Sequence, residues 1–315
     1  MATVTPPEAS PVAAGTAALS RVAVLLATYN GERWLPDLLA SLAAQDGVRV
    51  EVFAADDGSR DGTVAVLRAG PAGLPVHLVG GPRAGTPARN FARLLTSVDF
   101  AGFDYVAFCD QDDLWLPGKL RRAADVMAAE GADCYASNLI AFSADGARAL
   151  VHKSAPLRPM DHFFQSASAA CTYVLRAAAA RQLAAQIGTS YATWPDQMSF
   201  DCLAYAATRA SGRRWAIDDA AEILYRQHAG NVEGANVGPR AMLLRMRIAR
   251  RGWIRNNVRA LLPYVPRSPE LDAVVRRLER GWLRDRLWLA ARTGDFRRER
   301  KARVAFRLCF LLGWL

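Results

Sequence analysis

The stretch Phe103–Pro117, "FDYVAFCDQDDLWLP", decides how the rest of the chain is read. An apolar run gives way abruptly to three carboxylates in four positions, Asp110, Asp112 and Asp113. Like charges at that spacing repel, and no lysine stands opposite them locally, so something outside the chain is expected to neutralise them. A continuous apolar run that ends in polar residues is the pattern of a strand buried on both faces, as in a parallel sheet. The pattern recurs upstream in "RVAVLLATYN" (21–30), "VEVFAADDGS" (50–59) and, more briefly, "PVHLVGG" (75–81). Helical spacings lie between them. Trp34, Leu35, Leu38, Leu39 and Leu42 mark the first, followed by "RDGTVAVLRAG", "TPARNFARLLTSV" and "LPGKLRRAADVMAAEG". The last has Pro117 near its first turn and closes on Gly131, as helices do. Alternating strand and helix predict a doubly wound α/β domain, with ligands at the carboxyl ends of the strands. "TYN", "ADDGS" and "DQDD" all fall there, so the acidic cluster belongs to a ligand crevice.

Composition narrows the classes. The chain has 315 residues, 51% hydrophobic and 22% charged, which suits a globular protein with a sizeable core. Five scattered cysteines form no CxxC pair and no zinc spacing, and read as reduced thiols of a cytosolic protein. Residues 1–20 lack a basic n-region and an apolar h-region, and their Ala, Pro, Thr and Ser content reads as a disordered leader. No apolar run reaches the length of a transmembrane helix. The net charge of +10 is concentrated in residues 239–315, which hold 20 Arg/Lys against 6 Asp/Glu. Past residue 135 the pattern loosens. "CYASNLIAF" reads as one strand, "SASAACTYVLRAAAARQLAAQ" as a strand entering an Ala-rich helix, and "WPDQMSFDCLAYAATRASG" as a loop and helix. "RWAIDDAAEILYRQHAGNVEGA" reads as a short strand with a polar loop.

Asp110 and Asp112, two apart on a strand end, are expected to face one cavity. Hard carboxylate oxygens select Mg²⁺ or Mn²⁺, which would bridge a nucleotide's diphosphate and neutralise charge on a leaving group. Helix capping is the alternative, and for Asp113 the two readings are evenly matched. Asp56 and Asp57 suit either an Asp-Gly-Ser turn or hydrogen bonds to a base or ribose. No GxGxxG or GxxxxGK[ST] follows the first strand, against a dinucleotide oxidoreductase or a P-loop kinase.

From about Arg21 to Ala235 the chain resembles the inverting glycosyltransferases of family 2, which have the GT-A fold. The resemblance rests on "LLATYNGERWL", "ADDGSRDGT", "FCDQDDLWLPGKL", "ACTYVLR" and "YRQHAGNVEGA", in that order. "YNGE", "CDQDDLWLP" and "YRQH" look most like the bacterial rhamnosyltransferase-like branch, which builds cell-surface polysaccharides. The resemblance implies that Tyr29 and Asp57 bind the nucleotide base, with Ala27, Thr28 and Asn30 beside them and Asp56 near the ribose. It implies that Asp110, Gln111 and Asp112 form the DxD motif, with Asp110 and Asp112 on a metal. Arg89 and Asn90 fall where donor-binding residues are often placed. Asp201 matches the aspartate that serves as base, although Phe200 stands where relatives usually carry histidine; Asp196 is the competing candidate. His228 begins a polar loop that closes over the diphosphate in some relatives and is a third metal candidate, and Arg226 a phosphate partner. Cys171 and Thr172 either line the acceptor side or pack the core.

The tail is the remaining signal. "RKARVAFRLCFLLGWL" (300–315) sets arginines beside an apolar end too short to span a bilayer but suited to its interface. Trp282, Leu283, Leu287, Trp288 and Ala291 form an apolar stripe on an earlier helix. Contact with the inner face of the cytoplasmic membrane is one reading; packing on the catalytic domain or a homo-oligomer is the other. No helix-turn-helix, RNP or zinc-finger signature supports nucleic acid. The expectation is a GT-A domain over 21–238 and a basic helical region over 239–315. The activity expected is inverting transfer of a sugar, rhamnose being one candidate, from a dTDP-, UDP- or GDP-sugar to a saccharide or lipid-linked acceptor with Mn²⁺ or Mg²⁺. A non-catalytic nucleotide-sugar-binding or assembly protein of the same fold is the alternative.

Overall fold

The computed structural model describes residues 19–196, 198–228, 247 and 250–315. The expected leader, apart from Leu19 and Ser20, and the segment after His228 in "YRQHAGNVEGA" lie outside the described residues. The first half alternates as expected: β1 (Ser20–Thr28), α1 (Leu35–Ala43), β2 (Val48–Asp56), α2 (Thr63–Ala69), β3 (Val76–Leu78), α3 (Pro87–Ser97), β4 (Tyr105–Asp110), β5 (Leu114–Trp115) and α4 (Lys119–Glu130). Then come β6 (Cys134–Ser137), β7 (Leu139–Ser143), β8 (Arg148–Val151), β9 (Val174–Arg176), α5 (Ala177–Ile187), α6 (Phe200–Ala210), β10 (Trp215–Asp218) and β11 (Ile223–Gln227). The described C-terminal part holds α7 (Trp253–Leu261), α8 (Pro269–Arg280), α9 (Leu283–Ala291), the short α10 (Thr293–Phe296) and α11 (Arg300–Leu311).

Seven strands form one sheet in the order β10-β6-β9-β4-β1-β2-β3, in which β9 runs antiparallel between β4 and β6. Side-chain parity on β1 explains the two cores. Val22, Val24 and Leu26 pack with α1 and α4, while Ala23, Leu25 and Ala27 face the layer of α3, α5 and α6. The C-terminal helices belong to that second layer: Ile254, Val258, Leu271, Val274 and Phe310 lie in the same apolar cluster as Leu95 and Leu203. Local signals set the helix ends. Thr86 caps α3 ahead of Pro87, Ser268 caps α8 ahead of Pro269, and Gly131 ends α4 in the left-handed region at φ 60°.

A second sheet of four strands, β5-β11-β7-β8, stands beside the rim. "CYASNLIAF" was expected to be one strand; it is two, β6 in the large sheet and β7 in the small one. Asn138 makes the break. It is 1% exposed, its Oδ1 accepts from the amides of Lys153 (2.5 Å) and Ser154 (3.0 Å), and its Nδ2 donates to the Asp219 carbonyl (2.8 Å). A buried amide satisfied this fully holds the chain where it changes sheets.

Candidate active site

The carboxyl ends of β1, β2 and β4 meet on one rim because these strands are parallel neighbours, with Ala27 paired to both Ala55 and Asp110. Gln111 ties the β4 end to the β1 end. Its Oε1 accepts from the Tyr29 amide at 2.8 Å and its Nε2 donates to the Tyr29 carbonyl at 2.9 Å. A Cβ on Gly31 would lie 2.3 Å from Gln111 Oε1, so the glycine makes room for this clasp. The loop after β1 is pinned to the loop after β2. The Asn30 amide donates to Ser59 Oγ (2.8 Å), the Gly31 amide to Thr63 Oγ1 (2.7 Å), and Asn30 Oδ1 accepts from the Arg60 amide (2.9 Å). Asn30 takes φ 49°, a left-handed conformation that asparagine tolerates. Thr28 is 2% exposed, while the Tyr29 ring is 45% exposed, with Arg83 5.4 Å over its face.

Three residues expected at the donor are held by the protein's own groups. Asp56 Oδ2 accepts from the Gly58 and Ser59 amides, and its Oδ1 from Thr28 and Ser59 hydroxyls. It organises its own turn, the alternative the sequence left open. Asp57 is 6% exposed and accepts from the amides of Ala84 (2.5 Å) and Gly85 (2.8 Å), holding the loop before α3. Asn90, expected at the donor, is instead 2% exposed: Nδ2 donates to the Ala55 carbonyl (2.8 Å) and Oδ1 accepts from Arg93. It supports the end of β2 from below because it projects from α3 toward the sheet. Arg93, absent from the sequence reading, is equally buried and donates to the carbonyls of Pro82 (2.5 Å) and Asp56 (3.1 Å). Arg89 Nε donates to the Trp194 carbonyl at 3.0 Å, and Arg89 pairs with exposed Asp196 at 2.9 Å.

The acidic cluster is arranged differently from the expectation. Alternation along a strand would point Asp110 and Asp112 the same way, but β4 stops at Asp110 and residues 111–112 turn. The parity is therefore reset. Asp110, Asp113 and Cys171 bring their ligand atoms within 4.8 Å of one another, while Asp112 Oδ2 lies 2.7 Å from His228 Nε2. Asp113 is fully buried; burial, then the charges of Asp110 and Asp112, push its carboxyl well above the usual carboxylate range. Its Oδ1 accepts from the Arg226 amide at 3.3 Å and its Oδ2 has no hydrogen-bond partner. Below it, Lys119 is 1% exposed, lies 3.4 Å over the Trp115 ring and is pushed down to about 7 by burial. The Cys171 thiol is pushed up by burial and then by Asp113. Cys171 and Thr172 are both fully buried, so they pack the core and do not line an acceptor surface.

Hard carboxylates at this corner suit a divalent ion, and among the described residues the donor group that comes together is Asp110, Asp113 and Cys171. Asp110, Asp112 and His228 are only partly buried and offer carboxylate and imidazole ligands, whereas Cys171 and Asp113 are fully buried. Trp34, which the sequence reading used only as a helix-face residue, backs this corner. His228 stacks on it at 5.1 Å, and the Arg226 guanidinium lies 4.7 Å from its ring and 4.9 Å from Phe142. Arg226 Nε donates to the Asp112 carbonyl at 2.9 Å. An aromatic three residues after Gly31, beside a loop of cations, was the available signal.

Asp201 stands in the first turn of α6, where its Oδ1 accepts from the Ser199 hydroxyl and the Cys202 amide (2.7 Å). Phe200 is 4% exposed and packs on Phe108 at 4.8 Å and Phe91 at 5.4 Å, which anchors the start of α6 to β4 two residues before Asp110. Lys153, also missed from sequence, is near enough for the Asp201 charge to oppose the lowering of its pKa by burial.

The family model "Glycosyl transferase family 2" matches residues 23–181, from β1 into α5. The chain belongs to glycosyl transferase family 2. The transferase is 34% identical over 236 residues to "dTDP-rhamnosyl transferase RfbG" of Shigella flexneri, covering 74% of this chain and 82% of that relative. It is 35% identical over 127 residues to "Succinoglycan biosynthesis protein ExoO" of Rhizobium meliloti, covering 40% of this chain and 35% of the relative. In fold it is similar to S. aureus TarS 1-349 solved with UDP-GlcNAc, at TM-score 0.55, 16% identity, and coverage of 93% of this chain and 89% of that one. It is likewise similar to the mannosyltransferase PcManGT of Pyrobaculum calidifontis, solved with GDP-Man and Mn2+, at TM-score 0.51 and 16% identity over 93% of this chain and 85% of that one. The transferase therefore has the GT-A fold with a helical C-terminal part, and glycosyl transfer is its activity.

Proposed function

We propose that the transferase moves a deoxyhexose, rhamnose first among the choices, from a dTDP-sugar to a saccharide or lipid-linked saccharide, with inversion and with Mn²⁺ or Mg²⁺. The observation that carries this reading is the strand-end rim, where Asp110 pairs with Ala27 across β4 and β1, Gln111 holds the backbone of exposed Tyr29, and Asp112 meets His228. The identity to a dTDP-rhamnosyl transferase supports the donor, with UDP- and GDP-sugars as the alternatives. Tyr29 offers a stacking face for the base, with Asn30 beside it and buried Ala27 and Thr28 supporting the strand end behind. Asp110, Asp112 and His228 would hold the ion, whose chemistry is to neutralise the diphosphate as it leaves. Asp201, near Lys153, takes the proton of the acceptor hydroxyl. The acceptor oxygen bonds to the anomeric carbon from behind, the bond to the diphosphate oxygen breaks, and its electron pair leaves with the nucleotide. The C-terminal helices bring the enzyme to the cytoplasmic face of the membrane, where a lipid-linked acceptor is presented.

The test separates the two acidic sites. Donor binding is read by thermal shift with dTDP-, UDP- and GDP-sugars, with and without Mn²⁺, since a ligand of the native state raises stability. Asp112→Asn should lose the metal-dependent shift and transfer together. Asp201→Asn should keep the shift and lose transfer. Equal loss of donor binding in both variants defeats this division of roles.

A further inference from the structure

Away from the rim, a cavity of about 410 Å³ opens where α7, α8, α9 and the end of α11 meet. Its wall carries Arg250, Arg251, Arg255, Arg280 and Arg286 against one acidic side chain, Glu279. That carboxylate is already paired with Arg259, outside the wall. Arg255 Nε is buried with no hydrogen-bond partner. Arg286 is aimed by its Nε, which donates to the Gly281 carbonyl at 2.8 Å, and a Cβ on Gly313 would meet its Nη1 at 2.8 Å. Arg280 is paired with Asp285 at 2.9 Å, which leaves Arg250, Arg251, Arg255 and Arg286 on a wall whose one acidic side chain, Glu279, is already taken by Arg259. Forked donors gathered in this way match the oxygens of a phosphate group.

The cavity borders an apolar surface. Among the described residues, twelve large hydrophobic side chains are exposed, and seven of them lie between Trp282 and Leu312. Trp282, Leu283 and Leu287 form the exposed side of α9; Val304, Leu308, Leu311 and Leu312 run along α11 at helical spacing. α9 and α11 pack against each other, so the two rows share a neighbourhood. Gly281, Arg286 and Gly313 on the cavity wall are each next in sequence to one of these residues. Arg280 and Arg284 flank the Trp282 ring at 5.3 and 4.6 Å, an aromatic between cations suited to the headgroup level of a bilayer. Apolar residues gathered in this way, rimmed by arginine, mark a contact surface, and the excess positive charge selects an anionic one.

We propose that the exposed face of α9 and α11 lies in the interface of an anionic bilayer, with a lipid phosphate headgroup seated in the arginine cavity at its edge. This deepens the membrane reading proposed above and rests on it; glycosyl transfer at the rim does not depend on it.

The full chain is floated with vesicles of phosphatidylcholine alone, or with about one-third phosphatidylglycerol, and transfer to a soluble acceptor is measured in parallel. The native chain should partition onto the anionic vesicles and scarcely onto the neutral ones. Arg250→Gln with Arg251→Gln, both exposed, should weaken that partition about 30-fold, as two charges near an anionic surface do. Leu287→Ser with Leu308→Ser should weaken it on both vesicle types, and both double variants should retain soluble transfer. Inorganic pyrophosphate should compete only partly, because it fills the cavity without displacing the apolar face. Failure of the native chain to bind anionic vesicles above neutral ones, with transfer intact, overturns the proposal and spares the catalytic reading. So does complete release by pyrophosphate with no effect of the leucine changes, which would make the cavity a site for free phosphate. A concentration-dependent dimer abolished by the leucine changes, without vesicle binding, would assign the face to a second copy and overturn it as well.

Discussion

Replacing Gly31 with alanine perturbs the active-site rim through one contact. The new Cβ would sit 2.3 Å from Gln111 Oε1 and 2.7 Å from its Cδ, and the three nearest atoms all belong to Gln111. Moving that side chain aside breaks its two bonds to the Tyr29 backbone at 2.8 and 2.9 Å. Two such bonds contribute about 2 kcal/mol together. Alanine also restricts the unfolded chain, and Gly31 is not among the glycines at positive φ, so about 0.4–1 kcal/mol is returned. The net cost is about 1 kcal/mol, measured by urea unfolding. The decisive comparison is made in the background of Gln111→Ala, which itself costs about 2 kcal/mol. There the obstruction is gone, and Gly31→Ala should stabilise by about 0.4–1 kcal/mol. Its sign reverses between the two backgrounds. If it costs the same in both, the clasp between β1 and β4 is not what requires glycine. In the native background the freed Tyr29 should also raise the KM for donor more than it lowers kcat.

Two further expectations concern the support of the site. Arg93→Lys should cost about 2–3 kcal/mol in urea, because a single ammonium cannot span the Pro82, Asp56 and Asn90 oxygens that the guanidinium reaches; a variant as stable as the native chain would show that the fork is dispensable. His162 is 7% exposed, and burial, aided by Arg209, depresses it from its ordinary 6.5 to about 3. Below pH 6.5 the unfolded chain binds a proton that the native chain refuses, so this group's contribution is present above 6.5 and is lost as pH falls toward 3. His162→Phe should therefore gain on the native chain by about 1.4 kcal/mol per pH unit across that window, and a flat difference would refute it.

Asp161 shows how the basic tail joins the catalytic layer. It is fully buried, accepts from the Tyr205 hydroxyl at 3.1 Å, pairs with Arg209, and meets Arg298 at 3.4 Å. Arg298 also donates to the carbonyls of Ser166 and Ala167 at 2.6 and 2.7 Å. Part of the charge that reads from sequence as a solvated or lipid-facing run is thus spent inside the fold. The stripe at Trp282, Leu283 and Leu287 stays outside, while Trp288 is drawn in between Arg277 and Arg292. Composition alone cannot separate the two groups of residues, because both are arginine beside apolar side chains.

The sequence by itself determined the alternating layer from β1 to α4, the rim on which "TYN", "ADDGS" and "DQDD" meet, and the family. It could do so because strands buried on both faces, proline-started helices and the glycine end of α4 are local signals whose meaning does not depend on distant residues. Tertiary structure alone decided which way each rim side chain points. Asp57 and Asn90 turn inward because loop amides, a strand carbonyl and Arg93 receive them. Asp113 joins Asp110 because β4 stops at Asp110 and the chain turns at residues 111–112. Phe200 anchors α6 on Phe108, and β11 reaches β5 and β7 across more than 80 residues of chain. Those outcomes depend on which partner satisfies a polar group or fills a gap, and the partners are brought together only when the chain has folded.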